Sequence, residues 1–291
     1  MPGDLFSIIA PVFICAGIGF IWQKQGRPYD TELITALITN IGTPCLVFYT
    51  LYDAHLNISG FGNMALATVA TIAGFAVVGG GALKIFKLPF RVYLPALIFP
   101  NSGNMGLPLS LLAFGKAGLA LAIVYFTITA VLQFTVGVAI SSGTVSPRRL
   151  MRIPIIYAVL LALLIMVFDV KAPDVVVSTA RILGGMTIPM MLITLGISLA
   201  RLRVSSLGRS VALSVLRLAL GAFVGWLVAE GLGVEGLARG VLILQSAMPV
   251  AVFNYLFALR YNNQPEEVAG MVVLSTTLAF ATLPALLWFL L

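Results

Sequence analysis

The stretch FPNSGNMGLP at residues 99–108 decides the fold that we expect for this chain. It places two prolines, two glycines, two asparagines and a serine in the middle of an apolar run. Proline removes a backbone donor and glycine weakens a helix, so this stretch cannot form a continuous helix. Inside a membrane, the freed backbone groups are tolerated only beside water, protein or a ligand. The stretch therefore predicts a broken helix beside a cavity.

The composition of the whole chain indicates that lipid is its main solvent. Sixty per cent of the 291 residues are apolar and 9% are charged, and the mean hydropathy is +1.08. So few charges cannot cover a surface that faces water. We expect an all-α polytopic membrane protein whose first partner is the lipid bilayer. The net charge of +7 comes from short basic clusters between apolar runs, which argues against a nucleic-acid partner.

Ten apolar runs are long enough to serve as transmembrane helices, each needing about 20 residues. They cover residues 5–22, 33–52, 64–83, 93–113, 117–140, 153–168, 175–200, 208–229, 237–259 and 268–290. No basic residue precedes the first run, unlike in a cleavable signal peptide, so we expect it to remain as a span. Cys15 and Cys45 lie inside runs and are expected to be small buried hydrophobes.

The distribution of basic residues predicts the orientation, because cytoplasmic loops are enriched in Lys and Arg. With the N-terminus outside, twelve basic residues lie on the inner side: Lys24, Arg27, Lys84, Lys87, Arg91, Arg148, Arg149, Arg152, Arg201, Arg203, Arg209 and Arg260. Four lie on the outer side: Lys116, Lys171, Arg181 and Arg239. Both termini are therefore predicted to be outside.

The ten runs divide into two halves of five, which an odd number of crossings would invert relative to each other. Pro44 and Pro189 occupy matching runs 145 residues apart, and Pro108 and Pro249 occupy another pair 141 residues apart. The ninth run carries QSAMP at residues 245–249, the counterpart of the break in the fourth run. Interrupted helices at matching places in two halves are typical of the binding site of a secondary transporter.

A pair of half-helices that begin near mid-membrane would attract an anion. Their first amides lack intrahelical partners and carry a partial positive charge. Asn101, Asn104 and Asn254 add neutral donors beside the two breaks.

Gly103 and Gly106 are the predicted hinge positions in the fourth run, and Pro44 and Pro189 are those of the second and seventh runs.

Two segments carry a resemblance to a known family. They are NSGNMGLP at residues 101–108, and the ninth run from QSAMPVAVF at 245–253 to ALRYN at 258–262. Together with the plan of ten spans, they resemble the auxin efflux carrier family, within the larger group that contains the bile-acid sodium symporters. The short segment from Ser141 to Arg152 between the halves is similar to that of a compact prokaryotic member, which implies a plasma (inner) membrane location.

The resemblance implies an elevator-type carrier of small organic anions, either auxin-like aromatic monocarboxylates or dicarboxylates, that acts as a homodimer. It implies a scaffold formed by residues 1–62 and 142–204 and a transport domain formed by residues 63–141 and 205–291. The fourth and ninth spans would cross at their prolines. The residues carried over to the substrate site are Asn101, Asn104, Pro108, Gln133, Gln245, Ser246 and Pro249, with Asn254 beside them.

The sequence leaves the driving ion open and implies no cofactor or metal. All ten acidic residues lie in loops or at span ends, so no proton relay inside the membrane is expected. Gln245 and Ser246 stand where the bile-acid relatives use a carboxylate, which argues against sodium coupling, although neutral oxygens can still hold Na⁺. His55 is expected in a solvated loop. Arg217, inside the eighth run, is expected to reach the interface, pair with a neighbour or serve the anion pathway.

Other classes of protein fit the sequence less well. A membrane enzyme needs matched reactive groups, and the chain has one His, no zinc-protease motif and no nucleophile elbow. A sodium-coupled symporter of the bile-acid type is the alternative transporter. A channel or a receptor has no need of inverted halves with matched breaks, whereas alternating access does.

Overall fold

The computed structural model describes residues 2–53, 58–144, 153–168, 170–202, 204 and 206–291. Five basic or titratable residues discussed above lie outside this part of the chain: His55, Arg148, Arg149, Arg152 and Arg203. Their predicted places stay predictions.

Helices make up almost all of the described residues. The α-helices are α1 (Pro2–Lys24), α2 (Thr31–Leu37), α3 (Thr43–Asp53), α4 (Ile58–Ile85), α5 (Phe90–Ile98), α6 (Leu107–Leu132), α7 (Val138–Ser142), α8 (Pro154–Val167), α9 (Asp174–Gly185), α10 (Thr187–Arg201), α11 (Leu207–Gly231), α12 (Gly236–Ser246), α13 (Val252–Arg260) and α14 (Pro265–Leu290). Three wider π-helical turns lie between them: Ile38–Gly42, Ser102–Gly106 and Gln133–Gly137.

The helices are long and apolar enough for a polytopic membrane protein. Seven continuous helical stretches in the described residues can cross a bilayer by length and composition, and α8 is a shorter apolar helix. The extended backbone in the described residues pairs only at an isolated bridge between Pro100 and Val250. The predicted all-α membrane class is therefore confirmed, while the number of crossings and the inverted repeat stay predictions.

The longest helical stretch, Ser102–Ser142, spans 41 residues and bends at Gly115. There φ is +65° and ψ is −162°, a backbone conformation that glycine adopts without a steric penalty. At about 1.5 Å per residue the stretch is roughly twice as long as the hydrocarbon core is thick. The bend falls between the predicted fourth and fifth spans.

The helices pack in two groups around the breaks. In one group, α1 lies along α10 and α3 packs on α8 and α9. A side chain at Gly196 would overlap the backbone carbonyl of Ala16, so this glycine lets α1 and α10 approach closely. In the other group, α11 packs on α4, α12 and α14, and α6 packs on α4 and α12.

Candidate functional site

The chain crosses itself where two broken helices meet. After α5 ends, Pro100 pairs antiparallel with Val250, which lies between α12 and α13. The amide of Asn101 donates to the carbonyl of Pro249 at 2.7 Å, and the amide of Ala251 donates to that of Phe99 at 3.3 Å. The crossing therefore satisfies backbone groups that the breaks release.

Side chains behind the crossing hold it together. The Asn254 amide nitrogen donates to the carbonyl of Phe99 at 3.1 Å, and the Asn254 amide oxygen accepts from Gln133 at 3.0 Å. The amide of Val250 donates to the hydroxyl of Ser275 at 3.0 Å. Asn254 is 3% exposed, so both ends of its side chain are used for support.

A cavity of about 340 Å³ lies beside the crossing. The crossover wall contributes residues 100–104, 251–253, 255 and 256, together with Gln133 and Phe134. The facing wall is formed by α2, the π-helical turn Ile38–Gly42, the starts of α3 and α8, and α10. All three π-helical turns line this cavity, and such turns are frequent at functional sites.

The crossover wall presents polar groups that have no partner. Asn101 is 4% exposed, and its amide nitrogen makes no hydrogen bond. Ser102 and Asn104 also line the cavity, and in the described part of the chain their side chains make no hydrogen bond. The first turns after Asn101 and Ala251 begin helical segments here, and the first amides of a helix lack intrahelical partners. Two helix N-termini and three free side chains therefore meet at one wall.

The charge of the lining is positive. Arg201 is the one charged residue among the described residues that line the cavity. Its guanidinium donates to the side chain of Gln23 at 2.8 Å, the hydroxyl of Thr31 at 2.6 Å and the carbonyl of Tyr29 at 3.0 Å. These acceptors are neutral. Burial raises the pKa of the Tyr29 phenol, which shares a hydrogen bond with Thr194, so Tyr29 adds no negative charge.

The structure brings some predicted site residues to the cavity and leaves others away from it. Asn101, Gly103, Asn104 and Gln133 line the cavity, and Asn254 supports the crossing from behind. The others do not line it: Pro108, Gln245, Ser246 and Pro249.

The residues away from the cavity have packing partners of their own. Pro108 lies in the first turn of α6, so the fourth span crosses at Pro100 instead. The Gln245 amide donates to the Ser110 hydroxyl at 3.0 Å, and the Ser246 hydroxyl donates to that of Tyr125 at 3.4 Å.

The predicted hinge residues lie in four different settings. Gly103 packs against the ring of Phe126, and a side chain at Gly106 would overlap the amide of Gln245. Pro44 follows the π-helical turn at the start of α3, and Pro189 follows the break between α9 and α10. Whether any of them bends during function stays a prediction.

Arg217 is fully buried and does not reach the interface. Its Nη2 donates to the carbonyl of Ser246, the last residue of α12, at 2.9 Å. Its guanidinium carbon lies 4.6 Å from the centre of the Phe75 ring. A side chain at Gly221, one turn further along α11, would overlap that same carbonyl. The glycine thus brings α11 close enough for Arg217 to pair with the negative end of α12.

The facing wall was not predicted from the sequence. Thr31, Thr35, Thr39 and Thr43 all line the cavity, as do Thr194 and Ser198 of α10. Their four-residue spacing is the sequence signal, because residues four apart share one face of a helix.

Among the described residues, no group of three or more His, Cys, Asp and Glu could hold a metal ion.

Comparisons with known proteins identify membrane transporters as relatives of this chain. The membrane transport protein family matches residues 139–288. An uncharacterized transporter of Methanothermobacter thermautotrophicus is 26% identical over 96% of each chain. An uncharacterized transporter of Methanocaldococcus jannaschii is 22% identical over 90% of this chain and 97% of its own. These matches confirm the predicted resemblance to the auxin efflux carriers and indicate a transporter rather than an enzyme.

Proposed function

The chain belongs to the membrane transport protein family, and from that premise we propose that it carries small organic anions by elevator-type alternating access. The observation that carries this proposal is the cavity at the crossing. Two helix N-termini, the unpartnered amide of Asn101 and the charge of Arg201 all face it. Each of these groups stabilises a negative charge, and no described Asp or Glu lines the cavity to oppose it.

The lining also supports an organic rather than an inorganic anion. Phe126, Phe134, Phe253 and Tyr255 contribute aromatic surface on the crossover side. A volume of about 340 Å³ lies at the lower end of the range for small-molecule pockets. The aromatic surface favours an aromatic monocarboxylate, and a dicarboxylate is the second candidate because hydroxyls cover the opposite wall.

The elevator mechanism is supported by the packing of the helices in two groups. The group with α1, α3, α8, α9 and α10 corresponds to the proposed scaffold, and the group with α4, α6, α11, α12 and α14 to the proposed transport domain. The cavity lies between them, where a sliding transport domain would carry the anion past the scaffold. Ten crossings in two inverted halves complete the proposal, which the bend at Gly115 supports because it lies between the proposed fourth and fifth crossings.

The distribution of basic residues supports an orientation with both termini outside, in a prokaryotic plasma membrane. In that orientation Arg201, an exposed residue of the cavity lining, faces the cytoplasm. Homodimerisation through the scaffold is the part of the proposal that rests on the family resemblance. Disulfide crosslinking of cysteines introduced on α8 and α9 in native membranes tests it, and an absence of crosslinked dimers would count against it.

Uptake into proteoliposomes tests the proposed function. Purified protein is first screened by thermal shift against indole-acetate, malate, malonate and bile salts, with and without Na⁺, because a bound ligand stabilises the folded state. The anions that stabilise the protein are then offered as radiolabelled substrates. We expect saturable uptake, which distinguishes a carrier from a pore.

A matched pair of ligands tests the role of charge. Indole-acetate and indole-acetamide differ at a single functional group, so only the anion should stabilise the protein and compete for uptake. Equal binding of the neutral amide would contradict an anion site. Uptake that occurs only with Na⁺ would favour the symporter of the bile-acid type.

A further inference from the structure

The threonines of the facing wall lie on one face of a helix for four successive turns. Thr31, Thr35, Thr39 and Thr43 are four residues apart and all line the cavity. In a regular α-helix each step of four residues turns about 40° past a full circle, so such a row drifts around the helix. The π-helical turn Ile38–Gly42 holds more residues per turn and rotates less per residue. It therefore returns Thr43 to the face of the earlier threonines.

Three of the four hydroxyls in this row are free. In the part of the chain that the structure describes, Thr35, Thr39 and Thr43 make no side-chain hydrogen bond. By contrast, the hydroxyls of Thr68 and Thr71 on α4 each donate to a carbonyl of their own helix at 2.7 Å. Buried hydroxyls normally have such partners. Free hydroxyls on a cavity wall are therefore available to a ligand.

The row runs from the mouth of the cavity to its interior. Thr31 accepts a hydrogen bond from the exposed Arg201. Thr35 and Thr39 are half-buried, and Thr43 is 4% exposed. Ser198, 9% exposed, lies one turn inward from Arg201 on α10 and also lines the cavity without a hydrogen bond among the described residues. The free hydroxyls thus connect a cationic mouth with the crossover wall.

We propose that Arg201 and the hydroxyls of Thr35, Thr39, Thr43 and Ser198 form a polar track that conducts carboxylate anions between the mouth and the crossover. Arg201 draws the anion to the mouth, because its guanidinium bonds only neutral acceptors among the described residues and keeps an uncompensated positive charge. Each hydroxyl then donates to the carboxylate, and a neighbour about 6 Å further along the helix takes it over. The identity of the anion rests on the proposed function, whereas the charge selectivity of the track does not.

Cysteine accessibility tests the track without any need for transport. Cys15 and Cys45 are first replaced by serine, and Thr35→Cys, Thr39→Cys, Thr43→Cys and Ser198→Cys are then made singly. Each variant is treated from either membrane face with an anionic or a cationic methanethiosulfonate reagent. Rates are divided by those with a free thiol in solution. Four positions allow for the loss of a variant that does not fold, as judged by size-exclusion chromatography.

We expect modification from the face that carries Arg201, with the anionic reagent favoured roughly tenfold over the cationic one. Adding Arg201→Gln should bring that ratio close to one. Thr50→Cys is the matched control, because Thr50 lies further along α3, is 3% exposed and does not line the cavity. It should react with neither reagent.

Each outcome decides between the two proposals. The track is wrong if the positions of Thr39 and Thr43 stay unmodified, or if the cationic reagent reacts as fast. Anion-selective labelling in a protein that takes up no anion would leave the track in place and contradict the proposed function. Saturable anion uptake without selective labelling would support the proposed function and contradict the track.

Discussion

Asn104 and Asn254 flank the same crossing, but Asn104 lines the cavity whereas Asn254 supports the backbone of the crossing. Asn104 faces the cavity and its side chain makes no hydrogen bond among the described residues. Asn254 is buried and uses its amide on Phe99 and Gln133. Alanine at the first position should therefore weaken anion binding, and alanine at the second should weaken the fold.

The magnitudes follow from the bonds that each change removes. If Asn104 donates to a carboxylate, Asn104→Ala loses a hydrogen bond to a charged group, about 1.5–3 kcal/mol, which is roughly a 10- to 100-fold rise in Kd. Asn254→Ala leaves the amide of Gln133 without its acceptor, at a cost of about 1–3 kcal/mol. The carbonyl of Phe99 keeps the amide of Ala251 as a donor, so that loss is smaller.

Two measurements on each purified variant separate the effects: thermal unfolding in detergent, and the concentration dependence of anion uptake. We expect an unchanged Tm with a raised KM for Asn104→Ala, and a Tm lowered by several degrees for Asn254→Ala. Asn40→Ala is the control, because Asn40 is exposed and does not line the cavity. Normal transport by Asn104→Ala, or unfolding of Asn254→Ala at the wild-type temperature, would contradict these roles.

Three further predictions concern stability. Gly221→Ala should lower the free energy of unfolding by about 1–3 kcal/mol, because the added carbon meets backbone at the end of α12. Gly208 in the same helix has open space around it, so Gly208→Ala should be neutral or slightly stabilising in the same thermal unfolding assay. Arg217→Lys should cost about 1–2 kcal/mol, since lysine lacks the planar group that stacks on a ring while it bonds a carbonyl; an unchanged midpoint would show that these contacts contribute little. Asp53→Asn should change stability by less than about 1 kcal/mol, because the 2.8 Å pair with Arg181 is solvent-exposed, and a larger loss would mean that this pair holds α3 to α9.

The break in the fourth run was predictable because it depends on local chemistry. Two prolines and two glycines within ten residues disrupt a helix through their own backbone chemistry, so residues 99–108 marked the interruption correctly. Single prolines were weaker signals, because Pro11, Pro95 and Pro284 lie inside helices. The residue at which the two broken segments cross was less predictable. Pro100 and Pro108 are equally able to break a helix, and the crossing occurs at Pro100 because the backbone there pairs with Val250.

The sequence also did not show which polar residues line the cavity and which pack away from it. Gln245 and Ser246 stand beside a break, as Asn101 does, yet they pack away from the cavity against Ser110 and Tyr125. The threonines of the facing wall carried a periodic signal, but a threonine in an apolar helix often donates to its own backbone. Only the packing shows which hydroxyls stay free.

By itself, the sequence determined that the protein is helical, that it lies in a membrane and that two of its helices are broken. These properties follow from hydropathy summed over about 20 residues and from the backbone chemistry of proline and glycine, which act locally. The tertiary structure alone decided which polar groups face the cavity and which support the crossing. That choice depends on contacts such as Gln133 with Asn254, 121 residues apart, and a hydrogen bond between such distant groups forms only when the fold brings them together.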